Sequence, residues 1–414
     1  MIRNIYIAAL MVVSVLLTGC DPEEPRGPKE VKQMTLIYAI NNNNLSADLV
    51  ANESQMLEAM GNVDPDVYKL LVYKYTDDGP GLYEVSNDKG RRTFSLIRRY
   101  DKSELSIDPK RVSDVLSDAL EEYPGVESNL FFWGHGNGWV NPNKYSNTVV
   151  SNLVKADGNG VQLSVEMPEL YGFGGEYVDE TKRKTDYVDL DLLAGAIPEG
   201  MFDMIWFDCC YMSSIEVAYQ FRNKCNTFVA YPTEIMAEGL PYNLVIPKIV
   251  GIAPDRRAAA KALYDYYTGK ASPDPVTVAV MDMGKIEDVA AAAGEIFGLG
   301  SARPSVTNMQ NYSRFYSTPY YDFGQYLREY AEANVSVAGK EKVEALVMVL
   351  NDALSEFVVY SAASDEDFNY PYAKPILKEN FSGISIHPYM GVNSAREDFY
   401  RKLDWYTATW GKLQ

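Results

Sequence analysis

Residues 201–223 read MFDMIWFDCCYMSSIEVAYQFRN, an apolar run followed by residues with helical spacing. The nearly continuous apolar run predicts a strand over Met201 to Phe207 that is buried on both faces, and a helix is predicted over Ser213 to Asn223. Further strands are predicted at residues 34–39, 67–73, 128–133, 227–231, 276–281 and 383–387, and helices at 45–60, 109–123, 256–267, 321–333 and 342–360. This alternation predicts an α/β fold whose mainly parallel sheet is covered by helices on both faces.

The composition excludes two classes of protein. The chain has 414 residues, of which 47% are hydrophobic, and this fraction is too high for a disordered chain. Its 38 Lys and Arg residues are outnumbered by 57 Asp and Glu residues, which gives a net charge of −19. Because no excess of cations is available to neutralise phosphates, we expect no nucleic acid among its partners.

The length exceeds what one core usually carries, so more than one structural unit is expected. Residues 34–300 contain the alternating strands and helices and are predicted to form the core domain. Residues 301–414 are predicted to form a mostly helical C-terminal subdomain.

Residues 140–185 break the alternation within the core. The sequence Asp157-Gly158-Asn159-Gly160 lies between two β-rich runs and predicts a hairpin. Three glycines that follow, Gly172, Gly174 and Gly175, predict a mobile loop. We therefore interpret residues 140–185 as a hairpin or flap insertion.

Residues 1–19 are predicted to be a lipoprotein signal peptide. Arg3 precedes a short apolar run, and the sequence LTGC that ends at Cys20 resembles the bacterial lipobox, in which the cysteine is lipidated. Residues 20–33 are rich in proline and charge and are expected to form a flexible tether. The chain is thus predicted to reside in a bacterial cell envelope, on the outer membrane surface or in the periplasm, and to contact membrane only through a lipid on Cys20. The alternative is a plain signal peptide that happens to end in Cys.

Two predicted strand ends carry residues suited to catalysis. His135 follows the strand at 128–133 and is one of two histidines in the chain, and Cys210 follows the strand at 201–207. Functional residues gather at the carboxyl ends of parallel strands, where a thiolate can attack a carbonyl carbon and an imidazole can transfer its proton. The backbone N–H groups of Gly136 and Cys210 would bind the developing oxyanion.

Each of these residues also has a purely structural interpretation. His135 could be a core histidine that is hydrogen-bonded to the backbone, and His387, at the end of an apolar strand, is interpreted as structural. Cys210 could be a small buried thiol, or it could form a disulfide with Cys209 or Cys225 after export. Cys209 and Cys210 are adjacent, so only one of them can face a site at the strand end.

Several stretches of the sequence resemble the clostripain family of cysteine peptidases, which is related to caspases and gingipains. The resemblance extends from about residue 34 to residue 395. It implies a caspase-like α/β/α sandwich. The stretches that carry it are YAINNNNL (38–45), LFFWGHGNGW (130–139), FDCCYMSSIEVAYQF (207–221) and GLPY (239–242).

The resemblance implies a role for four side chains. His135 matches the catalytic histidine and Cys210 the nucleophile of the family. Asp208 matches the acid that selects Lys or Arg before the scissile bond, and a carboxylate suits that task because it pairs strongly with both cations. Glu238 matches a second pocket acid, although the family usually has Asp there, and Cys209 stands where the family usually has Ala.

Together these features predict a cysteine endopeptidase that acts on proteins or peptides, cleaves after Arg or Lys, and needs no cofactor. Calcium is an alternative ligand for Asp157, Asn159 and Asp179, although their spacing does not match an EF-hand loop. Self-cleavage is predicted after Lys155 or within Arg183-Lys184. The alternative function is that of a non-catalytic, peptide-binding surface lipoprotein that keeps the peptidase fold.

Overall fold

The structure is a computed structural model that describes most of the chain. The lipidation candidate Cys20, the tether before residue 30, the hairpin and calcium candidates around Asp157, and the cleavage candidates Lys155 and Arg183 lie outside the described residues. No helix in the described part is both long enough and apolar enough to cross a bilayer. The described residues are 30–139, 172–178, 181, 184–251, 253–313, 320–365, 375–391 and 394–413.

The elements alternate between strands and helices through the first 300 residues. The strands are β1 Gln33–Ala39, β2 Tyr68–Thr76, β3 Gly79–Asp88, β4 Arg91–Arg99, β5 Glu127–Trp133, β6 His135–Gly136, β7 Phe173–Tyr177, β8 Thr185–Val188, β9 Phe202–Asp208, β10 Cys225–Ala230, β11 Thr277–Asp282, β12 Tyr321–Asp322, β13 Val358–Ala363 and β14 Ser385–Ile386. The helices are α1 Ser46–Met60, α2 Pro109–Glu122, α3 Leu190–Gly195, α4 Ile215–Gln220, α5 Tyr242–Ile249, α6 Arg256–Thr268, α7 Ile286–Phe297, α8 Phe323–Ala333, α9 Val335–Ala338, α10 Lys340–Phe357, α11 Ala395–Tyr400 and α12 Asp404–Ala408.

A nine-stranded sheet forms the centre of the described structure, in the order β13-β11-β10-β9-β5-β1-β2-β3-β4. The five strands in the middle are parallel to one another, and β3 and β11 are antiparallel to their neighbours. The remaining two, β4 and β13, therefore run in the same direction as the middle strands. The predicted α/β class with a mainly parallel sheet is confirmed.

Side chains of the sheet alternate between two cores because successive residues of a strand point to opposite faces. Leu36 and Tyr38 of β1 enter a core with α2, α4, α7, α8 and α10, while Ile37 and Ala39 enter a core with α1, α5 and α6. The molecule therefore has three layers, with helices on both faces of the sheet, as the resemblance to caspases implies.

Three strands of the central sheet were not expected from the sequence. Residues 77–80 predict a turn that ends the strand at 67–73. The chain does turn there, between β2 and β3, and then continues as the antiparallel strands β3 and β4. β4 has four arginines and an exposed surface, so it lacks the apolar pattern of a buried strand. The helix predicted over 342–360 ends at Phe357, and the β-branched residues that follow begin β13 at the other edge of the sheet.

Gly174 and Gly175 lie in the strand β7, so the prediction of a loop at these two glycines is wrong. β7 pairs with β6 in a small three-stranded sheet, with Gly174 opposite His135. The glycines allow close packing: a Cβ atom on Gly174 would lie 2.4 Å from Cγ2 of Ile107, and one on Gly175 would lie 3.0 Å from Cδ2 of His135. Glycine is needed because the strand lies directly against the histidine.

Candidate active site

The register of the sheet places three functional stretches at one edge. Ala39 at the end of β1 is opposite Trp133 at the end of β5, and Trp133 is opposite Asp208 at the end of β9. The segments that follow these residues therefore leave the sheet side by side. They are the asparagine run 41–44, the Gly-His-Gly segment 134–136 and the Cys-Cys pair 209–210.

The loops that carry His135 and Cys210 are in contact at Gly136. A Cβ atom on Gly136 would lie 2.7 Å from the carbonyl oxygen of Cys210 and 2.8 Å from Cβ of Cys209. Such distances are shorter than any ordinary contact, so only a glycine allows the two backbones to approach this closely. The structure thus brings together the segments that contain His135 and Cys210, which are 75 residues apart in the sequence.

The imidazole of His135 is held in a partly buried position. Its Nε2 lies 2.8 Å from Oδ1 of Asn44, and Gly175 covers the adjacent ring carbon. Burial lowers the pKa of His135 from 6.5 to about 4. The ring is therefore neutral at neutral pH and is able to accept a proton.

The two adjacent cysteines differ in their surroundings. Cys210 is half-buried, and its sulfur lies beside the backbone of Ile235, whose N–H donates a hydrogen bond of 3.4 Å to it and whose carbonyl lies 4.0 Å away. Tyr211, directly after it, has a φ of +61°, a strained conformation that is often found at functional sites. Cys209 is fully buried, donates its S–H to the carbonyl of Phe132 at 3.2 Å, and has a pKa raised by burial.

The cysteines at 209, 210 and 225 form no disulfide. The alternative interpretation in which Cys210 pairs with Cys209 or Cys225 therefore does not apply to this structure. Burial raises the pKa of Cys225 to about 12, so its thiol is not a nucleophile at neutral pH.

Asp208 is buried at the end of β9, where only 2% of its surface is exposed. Its Oδ2 accepts hydrogen bonds from the N–H of Leu240 at 3.1 Å and from the hydroxyl of Tyr242 at 3.0 Å. Its Oδ1 has no hydrogen-bond partner among the described residues. Burial raises the pKa of Asp208 to about 7, although the hydrogen bonds to Oδ2 act in the opposite direction.

Glu238 directly precedes Gly239, which packs against Asp208, and its carboxylate is already paired with a cation. Its carboxylate accepts a hydrogen bond from Tyr266 and forms an ion pair of 2.5 Å with Lys270, which also pairs with Asp274. The backbone carbonyl of Glu238 accepts a hydrogen bond of 2.9 Å from Asn52. These contacts fix the loop whose next residue, Gly239, covers the carboxylate of Asp208.

A comparison with protein families identifies the chain. The model of the clostripain family matches residues 37–170 and 179–410, which is most of the sequence. The chain belongs to the clostripain family. Its members are cysteine peptidases, so the chain is a cysteine-type peptidase, a hydrolase. A search of curated proteins gave no match.

Solved structures of clostripain-family (C11) proteases share this fold. A secreted C11 protease from Bacteroides thetaiotaomicron, solved with an irreversible peptide inhibitor, is 24% identical, with a TM-score of 0.72 over 92% of this chain and 99% of its own. Iotapain, a secreted C11 protease from the same organism, is 21% identical, with a TM-score of 0.72 over 92% of this chain and 100% of its own. An inactive zymogen from Parabacteroides distasonis is 23% identical, with a TM-score of 0.71 over 92% and 99%. Two of the three are described as secreted.

Three residues at the clostripain-type site were not expected to take part in it. Asn44 contacts His135, and Asn52 accepts a hydrogen bond of 2.9 Å from the indole of Trp133. Glu176 is buried and anchors β7 by accepting hydrogen bonds from the backbone of Ser106 and Ile107. The run of four asparagines was visible in the sequence, but its turn chemistry alone does not show which residue each amide contacts.

Replacing Gly136 by alanine is expected to lower kcat at least about 10-fold, because the new methyl group would push apart the two loops that carry His135 and Cys210. The loss of unfolding free energy is expected to be about 1–3 kcal/mol. Gly195→Ala is the matched control, since a Cβ there would meet no atom within 4 Å. Steady-state kinetics and thermal unfolding measure both effects; equal activity of the two variants would contradict the close contact at Gly136.

Proposed function

We propose that this clostripain-family chain is an endopeptidase that cleaves after Arg or Lys, with Cys210 as nucleophile and His135 as general acid and base. The observation that supports it most is the contact of the two strand-end loops at Gly136, because one loop carries a half-buried thiol and the other a neutral imidazole. The more buried Cys209 and Cys225 are poor alternatives.

The residues support a two-step hydrolysis. His135 accepts the proton of the Cys210 thiol, and the sulfur attacks the carbonyl carbon of the scissile bond. The N–H groups of Gly136 and Cys210 are proposed to stabilise the oxyanion. His135 then gives its proton to the leaving amine, the C–N bond breaks and a thioester remains. Water, deprotonated by His135, attacks the thioester, and the departing thiolate recovers the proton.

The proposed specificity depends on Asp208. Its Oδ1 lacks a hydrogen-bond partner among the described residues, so a substrate ammonium or guanidinium group would satisfy a buried acceptor and a buried charge at once. Glu238 is proposed to add negative charge near this pocket, although Lys270 already neutralises much of it. Lipid anchoring through Cys20 and a place in the bacterial envelope are proposed on the sequence alone.

Reporter peptides that differ only in charge test the proposal. We expect the purified chain to hydrolyse peptides ending in Arg or Lys at least about 100-fold faster than matched peptides ending in citrulline or norleucine, which have similar shape and no charge. The ratio of kcat/KM values is the measurement. Equal rates for charged and neutral peptides would refute the specificity, and no hydrolysis of any peptide would favour the non-catalytic lipoprotein.

A further inference from the structure

The run Asn41 to Asn44 follows β1, and its side chains have different partners. Three of them hold the turn in place, and one of them contacts the proposed catalytic histidine. Asn41 exchanges two hydrogen bonds with the backbone of Tyr75, Asn42 donates to the carbonyl of Tyr177, Asn43 donates to the carbonyls of Ile40 and Gly174, and Asn44 lies 2.8 Å from Nε2 of His135.

We propose that Asn44 is a positioning residue that fixes the tautomer and orientation of His135. Its Oδ1 accepts the Nε2–H, so Nδ1 carries the lone pair and is the nitrogen that exchanges protons with the thiol and the leaving group. The inference rests on the proposed function only in assigning catalysis to His135.

The two partners are carried by neighbouring strands of the central sheet. Ala39 of β1 is in register with Trp133 of β5, and the N–H of Ile40 donates to the carbonyl of Trp133 at 2.9 Å. Asn43 then accepts a hydrogen bond of 2.8 Å from the N–H of Leu45, which closes the turn that presents Asn44. Asn44 and His135 are therefore held in one rigid frame.

The imidazole is also confined on the edge next to Asn44. Gly175 of β7 would place a Cβ atom only 3.0 Å from Cδ2, the carbon bonded to Nε2. β7 is itself tied to the asparagine turn, because the N–H of Tyr177 donates to the backbone carbonyl of Asn42 at 2.9 Å. Asn44 and β7 thus both contact the edge of the ring that contains Nε2 and Cδ2.

An amide suits this position better than a carboxylate. A neutral acceptor orients the ring without stabilising its protonated form as strongly as an anion would. The imidazole therefore stays neutral at neutral pH, which matches the lowered pKa of His135. An aspartate at position 44 would orient the ring equally well but would favour the imidazolium.

Histidine NMR and pH profiles of variants test the inference. In the ¹⁵N-histidine-labelled chain, which has two histidines, we expect the His135 signals to show the Nε2–H tautomer, with His135→Ala supplying the assignment. Asn44→Ala is expected to give a mixture of tautomers and to lower kcat about 10- to 100-fold with KM nearly unchanged. With peptides that have a neutral residue before the scissile bond, Asn44→Asp is expected to raise the acid limb of kcat/KM that belongs to His135 by about one pH unit or more.

Asn42→Ala is the control, because it weakens the same turn without touching the histidine. It is expected to lower thermal stability but to leave both the tautomer and the acid limb unchanged. An unchanged tautomer in Asn44→Ala, or an unchanged acid limb in Asn44→Asp, would overturn the positioning role. The NMR measurement needs no substrate, so a failure of the proposed peptidase specificity would be seen separately in the wild-type reporter assay.

Discussion

Cys210→Ala is expected to lower kcat/KM for Arg- and Lys-ended reporters by at least about 10³-fold, while Cys209→Ala keeps activity within about threefold of the wild type. The two thiols are neighbours in the chain but differ in environment. Cys210 is half-buried beside the N–H of Ile235, whereas Cys209 is fully buried and donates to Phe132. Alanine at position 209 keeps the Cβ atom that packs against Gly136 and removes only the buried sulfur, which donates to the carbonyl of Phe132.

Thiol alkylation gives an independent measurement for the same pair. Iodoacetamide is expected to label Cys210 before Cys209 and Cys225, because the latter two are buried with raised pKa values. Peptide mass mapping over time identifies the labelled residue. Loss of activity in Cys209→Ala together with an active Cys210→Ala would show that the assignment of the nucleophile is wrong.

The parts of the fold that could be predicted are those with a strong local pattern. β5 and β9 lie between other strands and under helices on both faces, so their sequences are nearly continuous apolar runs. Because parallel strands end at the same edge, the proximity of the segments after β5 and β9 followed from the order of strands and helices. The amino-acid sequence was therefore sufficient to bring the loop of His135 next to the loop of Cys210.

The parts that could not be predicted depend on contacts between distant residues. Nothing near Glu238 in the sequence shows that Lys270, 32 residues away, neutralises it. Asn44 meets His135 across 91 residues. β4 was missed because it lies at an exposed edge of the sheet and contains four arginines. Its sequence therefore shows only a weak alternation of apolar and polar side chains.

The C-terminal residues form part of the support for the site. The hydroxyl of Tyr320 donates to the carbonyl of Asn137 at 2.7 Å, next to the Gly-His-Gly segment. The hydroxyl of Ser213 donates to the carbonyl of Gly383, also at 2.7 Å. This hydrogen bond joins the segment after Cys210 to the residues just before β14. The boundary near residue 300 stays a prediction, but β13 belongs to the central sheet.

Asp208→Asn is expected to lower kcat/KM for Arg- and Lys-ended peptides about 10²- to 10³-fold while changing little for peptides with a neutral residue at the same position. The substitution keeps the size and the hydrogen-bond acceptor for Leu240 and Tyr242, but it removes the charge that would pair with the substrate cation. Loss of one partner from a buried charge pair costs about 2–5 kcal/mol, which corresponds to this range.

The pH dependence distinguishes this role from a structural one. Because burial raises the pKa of Asp208 to about 7, the carboxyl is mostly protonated below that pH and pairs poorly with a cation. The kcat/KM for basic peptides is therefore expected to rise as pH increases through about 7, well above the limb near pH 4 that belongs to His135. The upper limb should vanish in Asp208→Asn and for neutral peptides. If a limb near pH 7 persists in both cases, that limb belongs to another group, and Asp208 is not the residue that recognises the substrate cation.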